Sequence, residues 1–292
     1  MKRRSSSDKV FLFVTHAILV IILILVLYPL LYVVISSFTS GPQYMTVYLI
    51  PQKLSLVGYE TVFQYKAIWT GYVNSIINTI FGVLLALTLT MLCAYPLSRP
   101  DFKGGKFVMT LCMITMYFSG GLIPGYLLIR DLGIMNSRWA LILPGAMSVY
   151  NMIVARTYIC NSIPNDIRES AQIDGCGNIR YLLAMVLPLS KPILAVLALY
   201  YAVDAWNSYF NAMMYVSGKR ELYPLALILR EILVLDSADL DMLEVSELMK
   251  LEERRNVMKY AVIVVSSLPV MAIYPFVQKF FVKGIMIGSV KG

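Results

Sequence analysis

Apolar residues run almost unbroken from Val10 to about Ile35, behind a start, MKRRSSSDKV, that holds four basic residues in its first nine. A secretory signal needs an apolar stretch of only about 7–15 residues and a small-residue cleavage site. This run is longer and no convincing A-x-A follows it, so it predicts an uncleaved first span. Five further runs are long enough to cross about 30 Å of hydrocarbon, which takes about 20 residues. They fall at about 73–96, 106–129, 139–160, 184–216 and 257–282. Pro96, Pro100, Gly104 and Gly105 punctuate the gap between the second and third. Pro188 and Pro192 lie in the first turns of the fifth and are expected to bend that end of it. The pattern predicts an all-α polytopic membrane protein with six transmembrane helices and no internal repeat.

The polar segments between the runs set the organisation. Lys and Arg of the short segments concentrate at the N-terminus and in every second connection, which predicts an N-in, C-in orientation. Residues 1–72 then comprise a cytoplasmic start, the first span and an outer loop. Residues 73–282 form a core of five spans, and 283–292 a cytoplasmic tail. Segment 217–256 becomes a long outer loop. It has apolar residues at helical spacing and an acidic face, which suits a surface-lying helical hairpin or a docking platform equally well.

Composition narrows the classes. Of 292 residues, 59% are hydrophobic and 14% charged, where a soluble domain carries about 25% charged residues. The net charge of +8 lies in scattered loop clusters, which fits lipid headgroups and topology and excludes nucleic acid as a partner. Cys93, Cys112, Cys160 and Cys176 show no CxxC pairing, and His16 is the one histidine. A metal centre, HExxH or GxSxG chemistry and an enzymatic role are therefore not expected.

One polar stretch stands out between apolar runs. Residues 168–177 read RESAQIDGCG, with Pro164 and Asp166 suited to a helix start and Gly175 and Gly177 to its end. The spacing predicts a helix over about 164–176, with Ile167, Ser170, Ala171 and Asp174 along one side and charges at Arg168, Glu169 and Asp174. Such a short helix is marginal alone. It needs either a docking partner or the headgroup layer.

The stretch ESAQIDGCGNIRYLLAMVLPLSKPILAV closely resembles the EAA motif of ABC-importer permeases. Matching positions are Glu169, Ala171, Asp174, Gly175, Leu187, Pro188, Leu189 and Pro192, with Ser170 in place of the first Ala. YFSGGLIPGYLLIRDLGIMNSRWALILPG, WNSYFNAMMYV, LYPLALIL and the terminal GSVKG are similar to carbohydrate-type permeases, more narrowly to those importing complex oligosaccharides. The resemblance covers roughly 10–292 and implies a type I ABC importer permease fold in a bacterial cytoplasmic membrane. It implies that Glu169, Ser170, Ala171, Asp174, Gly175 and Pro188 couple to an ATPase, joined by the tail residues Gly288 and Gly292. It also implies a second homologous permease, two cytoplasmic ATPase subunits, an extracytoplasmic sugar-binding protein and an oligosaccharide substrate. No GxxxxGK[ST] occurs, so ATP and Mg would be bound by the partner ATPase and this chain needs no cofactor of its own.

The fifth run carries a second polar pattern. At about 100° per residue, Tyr200, Asp204, Asn207, Asn211 and Tyr215 fall on one side of a continuous helix. Amides, a carboxylate and tyrosines suit a sugar pathway; they equally suit hydrogen bonds that knit helices together. Trp206, off this stripe, is expected to pack on a neighbouring helix. The rival class, an ion-coupled secondary transporter or channel, would use membrane-embedded ionisable residues, and Asp204 is the one obvious mid-span acid.

Overall fold

The computed structural model describes residues 6–39, 54–234, 258–275 and 278, and these are helical apart from turns and an isolated bridge between Thr39 and Leu54. The chain divides into two compact units, Met1–Lys66 with Glu231–Leu268 and Ala67–Arg230 with Pro269–Gly292.

The first unit is built on α1, Ser6–Ser37, whose large apolar side chains are exposed along its length. With no water in hydrocarbon to bond the backbone, a helix is the form such a run must take. At its end Ser37 Oγ and Tyr59 Oη of α2 (Val57–Gln64) hydrogen-bond at 2.7 Å, and Phe38 packs on the Tyr59 ring. Tyr32 meets Tyr260 edge-on at 5.8 Å.

The second unit opens with α3, Lys66–Ser98, which continues through Pro96 for two more residues instead of stopping there. Proline costs the helix the bond from its own position to the carbonyl of Leu92, and α3 ends within one turn of it. Then follow α4 (Gly105–Tyr117), α5 (Leu122–Asp131), α6 (Trp139–Ile142), α7 (Val149–Ser162), α8 (Asn165–Ile173), α9 (Asn178–Tyr181), α10 (Leu187–Leu189), α11 (Lys191–Asn207), α12 (Phe210–Tyr215) and α13 (Leu225–Leu233). Its main core joins Ala86, Met91 and Ala94 of α3 to Met152 and Ala155 of α7 and Leu197 of α11. Small residues at these contacts let helix backbones approach, the usual basis of packing where lipid competes for apolar surface. A buried hydrogen bond of 2.7 Å between Thr90 Oγ1 and Tyr201 Oη ties α3 to α11.

Among the described residues, three helices are long and apolar enough to cross a membrane unaided: Asp8–Ser37, Lys66–Ser98 and α14, Met258–Pro275. Two more expected spans are present as bent pairs. Gly105–Tyr117 and Leu122–Asp131 meet at 113°, and Asn178–Leu189 and Lys191–Asn207 at 82°. The run 139–160, expected to form one span, is divided between α6 and α7 by a 3-10 turn at Leu143–Gly145. Pro144 and Gly145 explain the break: one removes a backbone donor and the other adds backbone freedom.

The expected outer loop begins with α13, which buries Leu225, Leu227 and Ile228. Gly71 of α3 permits this docking: a Cβ there would lie 2.6 Å from Ile228 Cδ1 and 3.1 Å from Leu225 Cα. Asn74 Nδ2 donates to the carbonyls of Glu221 and Tyr223 at 2.7 and 3.0 Å, and Leu225 N donates to Ser75 Oγ at 2.9 Å. Residues 235–256 of that loop lie outside the described residues.

Candidate functional site

The polar helix predicted from RESAQIDGCG is α8. It starts after Pro164, carries Asp166 in its first turn and is nine residues long. Its end is a Schellman motif, with Cys176 N donating to Ala171 O at 2.8 Å and Gly175 N to Gln172 O at 3.0 Å. That closure needs a left-handed residue after the cap, and Gly175 has φ +72°. Ala171 is buried and Ile167 and Cys176 pack against the core, so this face turns inward. Ser170 and Asp174, expected on the same side, are exposed instead. The break at Gly175 rotates the chain before Asp174 completes a helical turn, and Ser170 Oγ bonds back to Asp166 O at 2.9 Å.

The outward face of α8 presents Glu169 and Ile173, the latter 87% exposed, with Ile179 of α9 75% exposed beyond it. An exposed acid and two exposed isoleucines leave this side of the segment without cover among the described residues. Sequence reasoning missed both isoleucines because an isolated apolar residue in a polar stretch carries no periodic signal.

Arg168 was expected to serve a partner. It turns inward instead, and its guanidinium donates to Asp101 Oδ1 at 3.0 Å. The same carboxylate accepts from Arg99, which holds it well below the usual carboxylate range. No sequence signal pairs Asp101 with a residue 67 positions away.

Downstream, the LPLSKP stretch builds an elbow. A wide π turn at Leu182–Val186 precedes α10, Pro188 sits in its first turn, and the chain turns at the fully buried Ser190 before Pro192 opens α11. Proline removes a donor in each turn, and the π turn and bend absorb the loss. Gly288 and Gly292 lie outside the described residues.

The expected polar stripe is not one helical face, because α11 ends at Asn207 and Ser208 is extended (φ −72°, ψ 107°) before α12 begins. Tyr200, Asp204 and Asn207 remain together as an exposed strip on α11, with Leu197 and Tyr201 buried beside them. Asn207 Nδ2 donates back to Val203 O at 2.9 Å. Asn211 does rejoin Asp204. Both line a cavity of about 60 Å³ with Asn78, Tyr201, Ser208 and Gly145, room for a few waters. Tyr215 does not; it is buried with Ile129 and Ala140 and stacked on Tyr126. Trp206 packs edge-on against Tyr72 of α3 at 5.9 Å, as expected. Helix-knitting falls to residues the sequence left unmarked. Arg138 donates to Asn74 Oδ1 at 2.7 Å and to Asn78 Oδ1 at 3.4 Å.

Broken spans beside a small cavity, together with a short helix exposed on one face, suit a membrane transport protein. No family model matches the chain. It is 36% identical over 288 residues to the polygalacturonan/rhamnogalacturonan transport system permease protein YtcP of Bacillus subtilis, spanning 98% of this chain and 99% of that one. It is 37% identical over 266 residues to Protein LplC of the same organism, spanning 90% and 89%. A chain in the crystal structure of a bacterial ABC transporter involved in import of the acidic polysaccharide alginate superposes with a TM-score of 0.85. That match has 34% identity and covers 96% of this chain and all of the other. The chain belongs to the permeases of carbohydrate ABC transporters.

Proposed function

We propose that this chain forms half of the translocation pathway of an ATP-driven importer of oligosaccharides in a bacterial cytoplasmic membrane. It crosses six times with both ends in the cytoplasm, the divided segment 139–160 supplying the fourth crossing. A second homologous permease completes the pathway, two ATPase subunits bind ATP and Mg on the cytoplasmic side, and an extracytoplasmic binding protein delivers the sugar. The observation that carries this reading is α8: a capped, polar helix that keeps Glu169 and Ile173 exposed, with Ile179 of α9 exposed beyond it, while its other face is anchored. A docked ATPase would bury those three side chains and drive the elbow at Ser190. The tail through Gly288 and Gly292 would touch the same ATPase pair.

Tyr200, Asp204, Asn207 and Asn211 would line the sugar path, hydroxyls meeting the polar groups and C–H faces the ring. Tyr215 would support that wall from behind. An ion-coupled carrier is disfavoured by family membership. The test is uptake by cells expressing the chain with its permease, binding-protein and ATPase partners, using oligogalacturonides, oligoalginates and neutral galacto-oligosaccharides as probes. Uptake should vanish when the ATPase is inactivated and survive protonophores at fixed ATP. Uptake that follows the proton gradient would sink the proposal. Deleting 288–292 should lower uptake without lowering membrane level.

A further inference from the structure

A set of charges outside the EAA stretch joins α8 to the rest of the second unit. Asp101, three residues past the end of α3, offers one carboxylate to two arginines. Arg99 Nε donates to its Oδ1 at 3.0 Å and another Arg99 nitrogen donates to Oδ2, while Arg168 of α8 donates to Oδ1 at 3.0 Å. Arg99 also donates to Tyr95 Oη of α3 at 3.2 Å, to Asn178 Oδ1 at the first residue of α9, and lies over the Tyr95 ring. The Arg99 and Arg168 side chains are 14% and 17% exposed and that of Asp101 51%, and Arg168 Nε is buried with no hydrogen-bond partner among the described residues.

The end of α3 and α8 therefore meet at one anion, α9 joins them through Arg99, and α8 is otherwise loosely held. α8 has only nine residues, is preceded by Pro164 and ends on the left-handed Gly175. A helix of that length has little stability of its own and can pivot on its ends. Its apolar contacts through Ile167 and Ala171 are non-directional, whereas a carboxylate shared by two planar guanidiniums fixes angle as well as distance. Without Asp101 the two guanidiniums lose the carboxylate they share, and their repulsion, screened in part by solvent at this half-exposed site, favours separating α8 from α3.

We propose that Asp101 is a positioning residue for energy coupling, clamping Arg168 of α8 to Arg99 at the end of α3 so that a push on α8 moves α3 and α9 with it. The clamp rests on the reading of α8 as the helix on which the ATPase docks. It is distinct from that contact, since Arg168 and Asp101 face inward while Glu169 and Ile173 face outward.

The test uses the full complex with its partner permease and ATPases in lipid nanodiscs. Hydrogen exchange is followed at 95–101 and 165–173, with and without ATP plus vanadate. In the wild type, nucleotide should change exchange in both segments. In Asp101→Asn the change at 165–173 should persist, because the ATPase still docks, while the change at 95–101 falls about tenfold, within the usual range of coupling between sites. Asp101→Glu should restore it, and Arg168→Gln should behave as Asp101→Asn does. A full response at 95–101 in Asp101→Asn, equal impairment by Asn and Glu, or failure of both Asp101→Asn and Arg168→Gln to assemble overturns the clamp. If even the wild type shows no nucleotide response, the docking reading fails instead. Nucleotide-free exchange at 165–173 then decides: faster in Asp101→Asn supports the clamp, and an unchanged rate overturns it.

Discussion

Glu169 of α8 and Gly175 just past its end do different kinds of work, and single substitutions should separate them. Gly175 holds φ +72° with open space where a side chain would project. Its replacement therefore strains the backbone without a clash. An L-residue held in the left-handed region costs about 1–2 kcal/mol. Gly175→Val should thus loosen the Schellman closure, and it is expected to raise protease cleavage within 165–177 while membrane level stays near normal. Equal cleavage in both proteins would remove this role. Glu169 is exposed, so its side chain contributes little to holding the fold. If it meets an ATPase, truncation at the interface weakens docking by roughly 2–5 kcal/mol. Glu169→Ala should leave the permease folded and abolish nucleotide-dependent uptake; normal uptake would place the docking contact elsewhere.

At the scale of elements, the contacts of α3 and α11 explain why similar apolar runs behave differently. α3 is one helix, and its polar side chains Asn74, Ser75 and Asn78 are bonded sideways to the turn before α13, to the first residue of α13 and to Arg138. Gly71 sets the depth of the α13 contact. Gly71→Leu drives a side chain into Leu225 and Ile228, and overpacking of this kind costs about 1–3 kcal/mol. The variant is expected to lower the thermal stability of the purified protein, and an unchanged melting temperature would contradict the packing argument. α11 instead breaks at Ser208, leaving Tyr200, Asp204 and Asn207 as an unburied strip. Asp204→Asn and Asn207→Ala should reduce uptake or alter its preference among sugars, with assembly intact. Loss of assembly in both would make the strip a contact between helices.

For the whole molecule, direction is the quantity to measure. In the proposed orientation Arg99, Asp101 and α8 face the cytoplasm. Exposed Cys160 should therefore resist a membrane-impermeant maleimide in intact cells, in a variant whose other cysteines are replaced, and react in inside-out vesicles. The opposite result would invert the orientation.

Much of this was legible in the chain itself. Long apolar runs leave the backbone no alternative to helices, and Pro164, Asp166 and Gly175 mark α8 because capping is local chemistry. LPLSKP marks the elbow for the same reason. What depended on position in space was not legible. The stripe 200–215 assumed a continuous helix, whereas Ser208 and its surroundings stop it, and the path 139–160 divides at Pro144 and Gly145 although its hydropathy is that of a span. Asp101 meets Arg168, and Asn74 meets Arg138, only because distant helices bring them together. Local sequence fixes what each segment can form within a few residues; which charges find one another across the bundle is set by packing, and only the tertiary structure decided it.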